Sequence, residues 1–177
     1  NKIVFSYVGG LVCERFLEEL LIITEQGLVN LLIAGYGDCN LEKKCEQLSV
    51  LPNVKFFGKV DYKTGLNIMF NSDVIYAMYC KSNPNHIYAA PNKFYEAMML
   101  GKPILSTKGI SIERKILEND IGYVIDESIN ELIDQVFSMT REDLVAKGEK
   151  AHFIWNTKFS NYTSFFLENS YREIITT

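Results

Sequence analysis

Two basic residues stand where helix electrostatics disfavours them. Arg15 and Lys93 each fall in the first turn of an expected helix that follows an expected strand. A helix N-terminus carries partial positive charge and favours anions by about 0.3–1 kcal/mol, so a cation there opposes the local field. A bound diphosphate reverses that sign, because it meets free backbone amides and two side-chain cations together. Gly9-Gly10, just ahead of Arg15, adds a turn where backbone can approach a ligand closely. The plain alternative is that both long side chains extend into water, with Glu14 offsetting Arg15.

A second group sits in the stretch 76–103, which reads as the end of a buried strand, a polar loop, a short helix and a Gly-Lys-Pro stop. Pro91 and Asn92 mark the helix start, Asn as the cap and Pro as a residue tolerated in the first turn. Phe94, Ala97 and Met98 repeat at core-facing spacing, while Asn92, Lys93 and Glu96 share another face. An amide, a cation and a carboxylate placed so could hold a phosphorylated, hydroxyl-rich ligand. An ordinary capped surface helix with a Lys–Glu pair explains the same spacing.

Other motifs carry less. Gly35-Tyr36-Gly37 follows the second strand and not the first, Asn40 stands where a third glycine belongs, and Asp38 would repel a pyrophosphate, so it reads as a turn. His86 and His152 are isolated, and no Cys, His and carboxylate cluster has metal-ligand spacing. Neither a Gly-x-Ser-x-Gly elbow nor a phosphate loop ending in Gly-Lys-Ser/Thr is present. No metal and no cofactor are expected.

The elements that must position these residues alternate. Strand patterns cover 3–8, 31–34, 54–57, 74–78, 103–106 and 123–125, and helical patterns cover 14–26, 41–48, 66–70, the segment after Pro91, and 112–118. Such alternation implies right-handed crossovers and a six-stranded parallel sheet with helices on both faces, an α/β three-layer sandwich. Ligands then settle outside the carboxyl ends of the strands. From Ser128 the strands stop, and 128–177 reads as a helical tail. Ile129, Leu132, Ile133, Val136 and Phe137 keep helical spacing, Thr140 to Asp143 looks like a capping box, and 159–175 carries an aromatic helix.

The totals fit one domain over 1–177: 47% apolar and 23% charged residues, within globular values. A net charge of −4 without a long basic run argues against nucleic acid as a partner. Cys13, Cys39, Cys45 and Cys80 lack metal-finger spacing and read as reduced thiols of a cytoplasmic protein. No apolar run reaches the roughly 20 residues of a membrane span. The chain opens on Asn1 directly into a strand pattern and reads as a fragment cut from a longer protein at a domain boundary.

In order, Val8-Gly-Gly-Leu-Val-Cys-Glu-Arg15, Leu32-Ile-Ala-Gly-Tyr-Gly37, Asn53-Val-Lys-Phe-Phe-Gly58, Ser72-Asp-Val74, Pro91-Asn-Lys-Phe-Tyr-Glu-Ala-Met98 and Gly101-Lys-Pro103 resemble the C-terminal, nucleotide-sugar-binding half of family 4 glycosyltransferases with the GT-B fold. The resemblance runs from about Ile3 to Ile125, and the tail, including Trp155, is similar to that family's closing helices. It implies a Rossmann-like domain in which Gly9, Gly10 and Arg15 lie beside the donor diphosphate and Gly58, Lys59 and Val60 border the base. Pro91 and the amides around Asn92 and Lys93 would hold phosphates, and Glu96 would bond the ribose hydroxyls. The first Glu of the family's Glu-x7-Glu motif falls at Tyr88, which carries no negative charge, and the family's frequent Arg in the first glycine loop is Gly10. The implied function is donor binding in a metal-independent hexosyl transfer that retains anomeric configuration by family precedent, in polysaccharide, glycan or glycolipid synthesis. A nucleotide sugar is the implied partner, and the acceptor would be bound by an absent N-terminal domain, so this half alone is expected to turn over no substrate. The full-length protein would be cytoplasmic, with peripheral membrane contact left open. Two alternatives stay open, a non-catalytic nucleotide-sugar-binding or scaffold domain and a nucleotide-sugar epimerase of similar architecture.

Overall fold

The computed structural model describes residues 2–162. Six strands form one parallel sheet in the order β3-β2-β1-β4-β5-β6: β1 Val4–Val8, β2 Asn30–Ala34, β3 Val54–Phe56, β4 Val74–Ala77, β5 Ile104–Thr107 and β6 Gly122–Ile125. The helices are α1 Leu17–Glu25, α2 Cys39–Leu48, α3 Tyr62–Phe70, α4 Pro84–Tyr88, α5 Asn92–Leu100, α6 Glu113–Asn119, α7 Ile129–Ser138 and α8 Arg141–Ile154. A π-helical turn, Trp155–Phe159, follows α8. The aromatic tail expected over 159–175 lies outside the described residues beyond position 162.

Strands covered on both faces read as unbroken apolar runs, and β4 and β5 are buried at every position. Alternate residues serve opposite layers. Phe5, Tyr7, Leu31, Ile33, Val74 and Tyr76 pack on one face against Leu17, Leu20 and Leu21 of α1, Leu41 and Cys45 of α2, and Leu132 of α7. Ile75, Ala77 and Ile104 face the other way, toward Met69 of α3, Phe94, Ala97 and Met98 of α5, Ile116 of α6 and Ala151 of α8. The expected three-layer sandwich with its six-stranded parallel sheet is the structure found.

Four local expectations change. The helix expected over 14–26 is two pieces, a 3-10 turn over Cys13–Arg15 and then α1, broken at Phe16 with φ of 53°. A left-handed phenylalanine is uncommon, and two contacts hold it: its side chain is buried and its carbonyl accepts from the Tyr76 hydroxyl at 2.6 Å. The polar loop after β4 contains a short helix, α4, opened by Pro84 and capped by Asn83, whose side chain accepts from the Asn85 amide at 3.1 Å. Helix α5 begins at Asn92 itself, with Pro91 in the cap position and no side chain capping its first amides. At α8 half of the capping box forms. Thr140 accepts from the Asp143 amide at 3.2 Å, but the Asp143 carboxylate is engaged by the Tyr123 hydroxyl at 2.6 Å and by Lys147 at 3.4 Å.

Gly35-Tyr36-Gly37 is a turn, and its glycines have a packing reason. The chain after β1 runs on beside it, with Gly9 donating to the Ala34 carbonyl, Leu11 to that of Tyr36 and Asp38 to that of Leu11. A Cβ on Gly35 would stand 1.8 Å from the Gly9 carbonyl oxygen, at a φ of 154° that side chains rarely adopt. Asp38 then caps α2 through the amides of Asn40 and Leu41.

Gly35→Ala should therefore destabilise the fold by roughly 3 kcal/mol or more, because the two backbone segments that follow β1 and β2 must move apart. Gly10→Ala, whose Cβ meets nothing within 4 Å, should stay within about 1 kcal/mol of the parent. Urea unfolding midpoints at constant m-value check both, and equal losses would contradict the packing argument.

Candidate nucleotide-sugar site

In this strand order β1 and β4 are neighbours whose following helices leave to opposite faces of the sheet, which opens a crevice at their carboxyl ends. A cavity of about 650 Å³ lies there. Val8 at the end of β1, Tyr79 just past β4, Arg15 from the 3-10 turn, and Pro91, Asn92 and Lys93 at the start of α5 all line it. Its far wall comes from Val60, Asp61 and Tyr62 at the start of α3, with Glu96 one turn along α5.

The structure thus brings Arg15, Val60, Pro91, Asn92, Lys93 and Glu96 together. Gly9 stands directly behind Lys93, so close that a Cβ there would come within 2.7 Å of Nζ. Gly10 is exposed on the same loop. Gly58 and Lys59 lie just before the wall and not on it, and Lys59 places its Nζ 4.7 Å above the ring of the exposed Tyr36. Tyr88 is not brought to the cavity. Its side chain is 82% exposed and borders a separate groove with Ile110 and Leu117. The cause is local. Ser111 binds the backbone on both sides of Tyr88, its amide donating to the Ile87 carbonyl at 2.8 Å and its hydroxyl to that of Ala89 at 2.5 Å. That anchoring leaves His86 facing in and Tyr88 facing out.

Arg15 is not in the first turn of α1, so the helix-terminus argument does not apply to it; the aromatic and imidazole groups around it hold it instead. Its Nη1 lies 3.0 Å from His86 Nε2, and its guanidinium carbon is 4.3 Å from the Tyr79 ring centroid. Lys93 does sit in the first turn of α5, with Nζ 5.1 Å from the centroid of the Tyr7 ring. Neither residue joins an ion pair among the described residues. Burial holds the Lys93 ammonium down to about 8, with Glu96 pulling it up and Arg15 pushing it lower. Burial also raises the Tyr7 and Tyr79 phenols, the latter to about 12, while Arg15 pulls both down. Both rings are therefore neutral at physiological pH. The Tyr7 hydroxyl donates to the Gly10 carbonyl, which fixes the glycine loop.

The opposite wall is acidic and polar. The Asp61 carboxylate caps α3 by accepting from the Thr64 amide at 2.8 Å and its hydroxyl at 3.0 Å, which lowers the Asp61 pKa. Desolvation and the nearby Glu96 carboxylate raise the Tyr62 phenol. Tyr7, Tyr79, His86, Asn83, Asn85, Asp61 and Tyr62 belong to the site without having been singled out. Tyr7 and Tyr79 carried a readable signal, a polar-tipped aromatic at the carboxyl end of each strand that flanks the crevice. His86 carried none, because its partners are a guanidinium 71 residues away and a backbone carbonyl.

Among the described residues no group of three or more His, Cys, Asp or Glu side chains could hold a metal ion, and no helix is long and apolar enough to cross a membrane. The four cysteines are unpaired as disulfides. The chemistry available is anion binding by two cations and helix amides, with a carboxylate at hydroxyl-binding range of the same space.

Comparison with solved structures places this arrangement among known folds. The chain is similar to sucrose-phosphate synthase from Thermosynechococcus elongatus, at 16% identity and a TM-score of 0.75, over 99% of this chain and 46% of that one. It is similar to HepE from Anabaena, solved with UDP and glucose, at 16% identity and a TM-score of 0.73, over 100% of this chain and 49% of that one. WaaG, a glycosyltransferase involved in lipopolysaccharide biosynthesis, superposes with a TM-score of 0.65 at 21% identity, over 89% of this chain and 44% of that one. The chain thus spans about half the length of these three structures. No curated protein sequence matches it. Residues 5–151 match the family described as Glycosyl transferases group 1, and the chain, a Rossmann-like domain of the GT-B fold, belongs to that family.

Proposed function

We propose that this chain is the donor-binding, C-terminal half of a glycosyltransferase that moves a sugar from a nucleoside diphosphate to an acceptor. One observation carries the reading. Arg15 and Lys93, 78 positions apart in the sequence, converge on a single cavity at the switch point of the sheet, and neither is neutralised by an ion pair among the described residues.

In this reading the diphosphate lies between the two cations and the uncapped amides of Asn92 and Lys93. Glu96 accepts hydrogen bonds from the ribose diol, a task suited to an ionised carboxylate with two oxygens. The segment Gly58 to Val60 leads to the nucleoside end. Catalysis is positioning plus electrostatic stabilisation of the departing diphosphate, and no step needs a metal. The acceptor would be bound by the remainder of a longer protein, in keeping with a chain that spans about half of its structural relatives. UDP bound to HepE is consistent with a nucleotide-sugar partner, and family precedent favours retention. A second reading has one observation in its favour. Tyr88 turns away from the cavity, so the sugar lacks the contact that the family takes from its first Glu, which suits a domain that binds the donor without catalysis.

A thermal-shift panel with UDP, GDP and ADP tests the donor site. One nucleotide should raise Tm, and Arg15→Ala and Glu96→Ala should each markedly reduce the gain. No shift with any of the three would sink the reading. If a nucleotide binds, activity of the parent protein with a panel of nucleotide sugars separates transferase from binding domain.

Lys93 supplies a test of opposite signs. Its folded pKa of about 8 lies below the ordinary 10.5, so the unfolded chain holds the extra proton between those values and stability should rise with pH across that window. Lys93→Met should lose that rise and gain roughly 1 kcal/mol near pH 7, while weakening nucleotide binding about tenfold or more. Urea melts from pH 7 to 10 with parallel calorimetric titrations would show it. A variant that loses both stability and binding would contradict the picture of a desolvated, ligand-seeking ammonium.

A further inference from the structure

His86 has no role in the reading so far, and its geometry gives it one. We infer that His86 is a positioning residue for Arg15, a neutral hydrogen-bond acceptor that aims the guanidinium into the cavity without cancelling its charge; this rests on the donor-site reading above. The tautomer follows from the partners. His86 Nδ1 lies 2.9 Å from the Cys80 carbonyl, which can only accept, so Nδ1 carries the proton. Arg15 Nη1 lies 3.0 Å from Nε2, and a guanidinium can only donate, so Nε2 presents a bare lone pair. One ring therefore relays the backbone past β4 to the side chain of the turn after β1.

The ring is itself held. His86 is 7% exposed, stands edge-on to Tyr79 at 5.5 Å between centroids, and donates its amide to the Asn83 carbonyl at 2.9 Å. The cap on Asn85, the proline at the start of α4 and the Ser111 anchors account for that fixed placement. Arg15 loses conformational freedom before any ligand arrives, with one edge on the imidazole and one face on Tyr79. A free arginine carries about 2 kcal/mol of side-chain entropy, so restricting it in advance favours binding. A carboxylate would orient the guanidinium equally well but would compete with the diphosphate for its charge. A neutral imidazole orients and does not compete.

Calorimetric titration of the chain with UDP, GDP and ADP, followed with the tightest of the three, tests the assignment. Arg15→Ala should weaken that nucleotide about tenfold. His86→Asn can still donate to the Cys80 carbonyl but is too short to reach Arg15, and should weaken binding about three- to tenfold. His86→Gln carries an amide oxygen out to the place of Nε2 and should return affinity to within about twofold of the parent. His86→Glu, an acceptor that brings negative charge, should bind more weakly than His86→Gln by at least about threefold. In the Arg15→Ala background His86→Asn should have no further effect, because the histidine acts through the arginine. Parent-like binding by both His86→Asn and His86→Glu, or a His86→Asn effect that persists without Arg15, would overturn the inference while leaving the donor site standing. Parent-like binding by Arg15→Ala, or no nucleotide bound by the parent chain, would overturn both. Should His86→Asn fold poorly by its melting curve, the Gln and Glu pair decides alone, since the two differ chiefly in charge.

Discussion

Two positive charges held in one cavity, without a carboxylate among the described residues in ion-pair contact with either, repel each other, and much of the local structure acts against that repulsion. Aromatic faces provide the first offset. Lys93 lies over Tyr7 and Arg15 over Tyr79, and each ring offers negative quadrupole to its cation. Those rings sit at the ends of the two strands that flank the crevice, so the sheet itself sets the separation of the charges. Burial holds the Lys93 ammonium below its ordinary range, and Arg15 adds a smaller push in the same direction. The residual cost is that of desolvating a charge, and an anion bound between the two side chains would offset it.

Rigidity at the end of β1 is what keeps that arrangement from relaxing. The chain beyond Val8 continues beside the turn after β2 through hydrogen bonds at Gly9, Leu11 and Asp38. Gly35 and Gly37 allow the two backbones to approach to distances that a Cβ would forbid. The Tyr7 hydroxyl ties down Gly10, and the Tyr76 hydroxyl holds Phe16 in its left-handed turn. Arg15 lies between these two anchors. Tyrosines from neighbouring strands thus fix both sides of the loop, and they touch each other edge to face at 6.5 Å. A loop without such anchors would let Arg15 swing out toward solvent and ease the repulsion.

Much of the architecture was legible in the sequence because it rests on short-range pattern. Runs such as Val74 to Met78 announce strands buried on both faces, and Phe94, Ala97 and Met98 announce which side of α5 faces the core. Arg15 and Lys93 were legible as cations beside strand ends. What escaped was whatever depends on contacts between distant segments. Arg15 was assigned to a helix that the fold interrupts, because Tyr76, 60 residues away, stabilises the break at Phe16. Tyr88 is placed at the site by the spacing of the family's motif alone, within a stretch that reads as a polar loop. Asn83 and Pro84 instead start a turn of helix, and Ser111 fixes which residues face inward. Thr140 began a capping box, but Asp143 is drawn to Tyr123 and Lys147 by tertiary packing.

The same short helix decides which loop residues face the cavity. A Glu at position 88 on this backbone would point where Tyr88 points, toward the groove beside Leu117 and away from Lys93. The inward position belongs to His86. The polar groups that the loop does present to the cavity are Asn83, Asn85 and His86, all neutral as the hydrogen bonds define them. A wall of neutral acceptors and donors leaves the field of Arg15 and Lys93 unopposed on that side. Glu96, one turn along α5 from Lys93, and Asp61 at the start of α3 are the carboxylates that line the same cavity.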